Sequence, residues 1–206
     1  MAGRPVFSET DDELRRAVTL VAILNLAYFG AEFTVATLIG SVSLYADSID
    51  FLEDTAVNVL VLLALRLGDR GKAVVGVGLA GLLVVPGATT LWAAWEKLAR
   101  PAPPDAVFLS VTGLGALAVN LFCAFLLARF RRDERSLTRA AFLSARNDAL
   151  ANLAIVGAGP VTRLTLSHWP DLLVGLGIFA INLDAAREVY TAARREHALA
   201  KGEAAA

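Results

Sequence analysis

Val42-Ser43-Leu44-Tyr45-Ala46-Asp47-Ser48-Ile49-Asp50-Phe51-Leu52-Glu53-Asp54-Thr55-Ala56-Val57-Asn58 opens an apolar run that continues to Leu65 and carries four acids. A helix of about 20 mainly apolar residues crosses the hydrocarbon of a bilayer. The run is therefore long enough to span, and its acids must share a face. Asp47, Asp50 and Asp54 are spaced i, i+3, i+7. At about 100° per residue they fall near 0°, 300° and 340°, one narrow stripe, and Asn58 extends it at about 20°. Glu53 points about 120° away from Asp47 and reads as a packing or water-facing residue. Three ionised aspartates on one face repel one another, so protons or a bound cation must neutralise them. An acid at membrane depth costs several kcal/mol unless it is paired or lines a wet cavity, and by default it marks function. That reading is favoured here over a structural ion-pair network.

Five more spans lie around this one. Ala73–Trp95 and Val107–Ala128 contain no charged residue. A first span covers about Ala17–Ile39 with Glu32. A fifth covers about Ala140–Thr162 with Arg146 and Asp148. A sixth covers about Leu172–Ala192 with Asp184 and Arg187 in its last turns. The runs show no period-2 alternation and exceed a barrel strand in length, so strands are not expected. The breaks are turn-like: Gly40-Ser41, Leu67–Gly71, the proline-rich Arg100–Pro104, Arg131–Arg135, and His168–Asp171. The expected fold is an all-α integral membrane protein with six transmembrane helices. Residues 1–13 form an N-terminal segment, 14–195 the six-helix domain, and 196–206 a short tail.

Composition agrees. Hydrophobic residues make up 56% of the 206 and charged residues 19%. Mean hydropathy is +0.59. This is too apolar for a disordered chain, and a net charge of -1 leaves no basic excess for nucleic acid. One cysteine excludes a disulfide framework and a cysteine-rich metal cage. With the N-terminus inside, 15 of the 19 Lys and Arg fall in cytoplasmic segments; Lys97, Arg100 and Arg163 fall outside and Arg146 within span five. The positive-inside rule then places both termini in the cytoplasm. The first span carries Glu32 and has no convincing cleavage site, so it reads as a retained span and not a signal peptide.

Span five supplies a second stripe, Ser144, Asp148 and Asn152, with Arg146 off that face. At 1.5 Å per residue, Asp54 lies about 18 Å and Asn152 about 20 Å from the inner ends of their spans, Asp148 roughly 14 Å and Asp50 roughly 24 Å. Asp54 and Asn152 are thus expected at matching depth, with the stripes facing each other near the membrane centre. Carboxylates plus an amide make an oxygen site for a divalent cation.

Asn25, Glu32 and the stretch Gly40–Asp54 resemble the first two spans of cation diffusion facilitator transporters. Asp148 with Asn152 resembles their fifth span, and Trp169-Pro170-Asp171 with Gly175 the entry to the sixth. The resemblance covers roughly residues 14–195. It implies a six-helix fold, usually a homodimer, that exports divalent metal in exchange for protons. It implies that Asp50, Asp54 and Asp148 form the transport site. Many members have histidine or aspartate where Ser144 stands, so Asn152 or Asp47 is expected to complete the shell. Members usually carry a cytoplasmic domain after span six. The sequence runs only about ten residues past that span, which implies the transmembrane domain alone.

No resident cofactor is expected; the metal is cargo. An all-oxygen site leans toward harder ions such as Mn²⁺, while Zn²⁺ leads on family base rate, with Co²⁺, Cd²⁺ and Fe²⁺ behind. No phosphate-binding Gly-rich loop is present, so energy must come from an ion gradient. The expected partners are the metal, protons, a lipid bilayer and a second copy, in the plasma (inner) membrane, with no nucleic acid. Glu32 and Asn25, i+7 apart on span one, stand as candidates for the polar cavity. Asn120 reads as an interhelical hydrogen bond, Cys123 as packing, and His168 and His197 as solvated. Gly76, Gly78, Gly81, Gly175 and Gly177 suggest close helix packing, and Trp92, Trp95 and Trp169 an interfacial belt. A passive cation channel or an accessory subunit with a buried polar network is the alternative. An intramembrane hydrolase is disfavoured, because Ser144 has no histidine at membrane depth.

Overall fold

A computed structural model describes the backbone of residues 9–64, 88–128 and 136–182, and their side chains except at 9–11, 64 and 136–147. The described residues form six helices and no strand. They are α1 (Glu9–Ile39), α2 (Val42–Ala64), α3 (88–99), α4 (Ala106–Ala128), α5 (Ser136–Thr165) and α6 (Trp169–Asn182). Most of the span Ala73–Trp95, with Gly76, Gly78 and Gly81, lies outside the described residues. So do Asp184, Arg187, His197 and most of the charges used for orientation, and the side chains of Ser144 and Arg146 are likewise undescribed.

Local chemistry fixes the helix ends. Gly40 takes φ +61°, the left-handed conformation glycine adopts without strain. Ser41 N–H then donates to the Ala36 carbonyl at 3.1 Å, closing α1 in a Schellman turn. Ser41 also caps α2, its hydroxyl accepting from Leu44 N–H at 3.2 Å. Asp105 does the same for α4, accepting from Val107 and Phe108 N–H at 2.9 and 3.0 Å.

α1 packs along α2 and α4 along α5; contacts of α1 with α4 and of α2 with α5 close the ring, and α2 barely meets α4. One apolar cluster, with Leu14, Val18, Val21, Val61, Cys123 and Leu127, fills the end where α1 begins. A second, with Ala36, Leu44, Leu109, Ile155 and Ile178, fills the opposite half. Val42, Ala94 and Leu172 form a third that ties α3 and α6 to the start of α2. Gly175 permits that junction, because a Cβ there would stand 2.6 Å from the Val42 carbonyl carbon and Ser43 nitrogen. Among the described residues nothing lies within 4 Å of a Cβ at Gly177.

The polarity of the bundle is inverted. Leu38, Val111, Phe125, Leu150 and Leu164 are all more than half exposed, while Asn25, Glu32, Asp47, Asp50, Asp54, Asn120 and Asn152 are buried. Water-soluble proteins bury charged residues only rarely; a bundle bathed in lipid turns its ionisable groups inward. α1 and α4 are long and apolar enough to cross a membrane. α2 and α5 match α4 in length or exceed it but carry more ionisable residues. Trp92, Trp95 and Trp169 are exposed, as an interfacial belt requires.

Candidate metal centre

Helical period brings the α2 acids onto one buried face: Asp47 is 0% exposed, Asp50 6% and Asp54 4%. Glu53 is exposed, as its angle on the helix requires. Each of the three aspartates is held by an asparagine from a different helix. Asn152 of α5 donates to both oxygens of Asp47 at 2.6 Å. Asn182 of α6 donates to Asp50 Oδ1. Asn25 of α1 donates to Asp54 Oδ2 at 3.4 Å. Asn120 of α4 donates to Asn152 Oδ1 at 2.9 Å, the interhelical bond expected of it. Asn58 continues the stripe but donates to the Asp54 carbonyl of its own helix. Cys123 packs in the apolar cluster at the end where α1 begins and donates from Sγ to Asn25 Oδ1 at 3.5 Å.

The register between α2 and α5 differs from the expected one. Asn152 meets Asp47, not Asp54, and Asp148 lies in electrostatic range of Asp50. The two pairings run in opposite order along the two helices, as they do between antiparallel neighbours. By the same register, Ser144 falls near the level of Asp54.

Five candidate ligands were expected: Asp47, Asp50, Asp54, Asp148 and Asn152. The structure joins Asn152 to Asp47 and brings Asp148 near Asp50. It does not gather the acids into a finished coordination sphere: among the described residues no three His, Cys, Asp or Glu side chains converge closely enough to hold an ion. The amides keep the carboxylates on separate partners. Asn182 was not foreseen in this role. Its signal was a polar amide in the apolar run around Ile181.

Glu32, 0% exposed, faces Asp47 across the α1–α2 seam, and neither of its oxygens accepts a hydrogen bond among the described residues. Among those residues Lys97 is the one buried basic side chain, and it sits elsewhere, 3.8 Å from Asp171. Asp171 anchors the start of α2. It accepts from Ser41 and Ser43 hydroxyls at 2.6 and 2.7 Å and from Val42 and Ser43 N–H at 2.9 and 3.1 Å. A carboxylate at a helix N-terminus also meets the positive end of the helix dipole.

A helical bundle with apolar flanks and an acidic layer at its centre defines a membrane-integral carrier of cations. The sequence matches the model of the cation efflux transmembrane domain over residues 18–195. The chain belongs to that family, whose members transport divalent cations and are not enzymes. No curated protein matches the chain.

Proposed function

We propose that this protein exports a divalent metal ion, Zn²⁺ first and Mn²⁺ second, from the cytoplasm in exchange for protons. The observation that carries this reading is a buried layer of acids with no buried basic side chain to neutralise it among the described residues. Such a layer needs a cation or protons, and the two compete for the same oxygens. Asp50, Asp54 and Asp148 bear the ion. Of Asn152 and Asp47, the two residues next in line, Asn152 completes the shell and Asp47 adjoins it. The asparagine amides donate N–H to the carboxylates. Turning an amide about its last torsion presents an oxygen instead. Protons arriving from the far side neutralise the acids and release the metal. The charge distribution supports cytoplasmic termini in the plasma membrane, and the family supports a homodimer.

The test is metal-driven proton flux in proteoliposomes holding a pH dye, across Zn²⁺, Mn²⁺, Co²⁺, Fe²⁺ and Cd²⁺. Saturable counterflow, lost in Asp50→Ala and Asp148→Ala, is the expected result. Metal flux without saturation or proton movement would instead mark a channel, and no metal flux an accessory subunit.

A further inference from the structure

The pairing of α1 with α2 is regular. Asn25 reaches Asp54. Three residues further along α1 and three back along α2 stand Tyr28 and Phe51, with ring centroids 4.9 Å apart. Four more each way give Glu32 and Asp47. The two carboxyl groups therefore meet on the inner side of the seam, both 0% exposed. Asp47 has its amide donor. Glu32 has none: both oxygens are buried without a hydrogen bond among the described residues. Leaving a buried carboxylate unpartnered costs far more than leaving a neutral polar group so. Tyr28 lies one turn from Glu32 on α1. Its hydroxyl proton is committed to the Thr112 carbonyl at 2.6 Å, so its oxygen is left as an acceptor.

We propose that Glu32 and Asp47, with the Tyr28 hydroxyl oxygen, form a second divalent-cation station beside the Asp50–Asp148 site. It lies about one turn nearer the Gly40–Ser41 end, about 5 Å along α2. All three atoms are oxygen donors of the kind hard divalent cations take, with water filling the remaining positions. Charge favours the arrangement. Glu32, Asp47, Asp50, Asp54 and Asp148 share the layer. One divalent ion leaves three negative charges uncompensated and two ions leave one. The second station gives the ion a place to step on its way to the far side.

The inference rests on Asp50, Asp54 and Asp148 being the transport site, and counting bound ions separates the two. The purified full chain in detergent is dialysed to equilibrium against Zn²⁺, and in a second series against Mn²⁺. Two ions per chain are expected for the wild type at saturation with at least one of these metals. Glu32→Gln, nearly isosteric, should bind one, and so should Asp50→Asn. Asp47→Asn should repeat the loss seen with Glu32→Gln and carries the test if that variant does not fold. If Glu32→Gln and Asp47→Asn both bind as many ions as the wild type, the station does not exist and Glu32 is a protonated core residue. One ion in the wild type, lost only in Asp50→Asn, overturns the station and leaves the transport site standing. No ion in any variant overturns both.

Discussion

Asp171 accepts four hydrogen bonds at the start of α2, and its work is structural. Truncating it strands the Val42 and Ser43 N–H groups, leaves the Ser41 and Ser43 hydroxyls only each other to donate to, and leaves the Lys97 ammonium only the Ala102 carbonyl, in a buried setting. Removing one partner of a buried ion pair costs about 3–5 kcal/mol. Asp171→Ala should lose stability on that scale, read as a lower melting temperature in detergent. Asp171→Asn keeps the shape and one acceptor and should lose less. Asn182 contrasts with it. Its single visible duty is to hold Asp50. A hydrogen bond to a charged group contributes about 1.5–3 kcal/mol, and 1.4 kcal/mol is about tenfold in affinity. Asn182→Ala should therefore weaken the apparent metal affinity about tenfold with little change in melting temperature. An unchanged KM for metal in proteoliposomes would show that the amide does not position Asp50. The acids themselves were legible from spacing alone, because the helical period fixes which residues of one helix share a face. Their amide partners were not, since a lone Asn in an apolar run gives no sign of which helix it meets.

At the scale of the helix, the sequence located the turns well and the depths less well. Gly40-Ser41 and the proline-rich 100–104 stretch mark ends because glycine and proline act through local backbone geometry. α5 runs through Ser136-Leu137-Thr138-Arg139, ahead of the expected span, because a helix need not stop where the hydrocarbon does. The pairing of Asn152 with Asp47 was not legible, because spacing within one helix does not set its offset against another. Helix contacts give a sharper test of which glycines matter. A methyl at Gly175 would press on the backbone of Val42 and Ser43. Overpacking of this kind costs about 1–3 kcal/mol, so Gly175→Ala should lower the melting temperature. Two residues on, Gly177 meets nothing within 4 Å among the described residues. Gly177→Ala should be neutral or gain up to about 1 kcal/mol from helix propensity. Equal melting temperatures for the two variants would contradict the close approach of α6 to α2.

Across the whole molecule, apolar clusters flank the acidic layer at both ends of the bundle, Leu14, Val61 and Leu127 at one and Leu44, Leu109 and Ile155 at the other. Under the proposed exchange, the occupant of the layer decides whether the carrier can turn over. A layer emptied of both metal and protons holds several bare carboxylates in a buried space, the costliest state available to it. Turnover should therefore require occupancy, and metal movement should be obliged to run against proton movement. In proteoliposomes with an acid lumen and a neutral exterior, protons run outward and metal should be drawn inward. Uptake should rise several-fold over symmetric pH, and nigericin in potassium buffer, by collapsing the gradient, should remove the excess. Asp54→Asn lowers the charge of the layer by one and should weaken this coupling while sparing the fold, since Asn25 still has an oxygen to donate to. Uptake that ignores the direction of the pH gradient would mean that protons are not the counter-substrate.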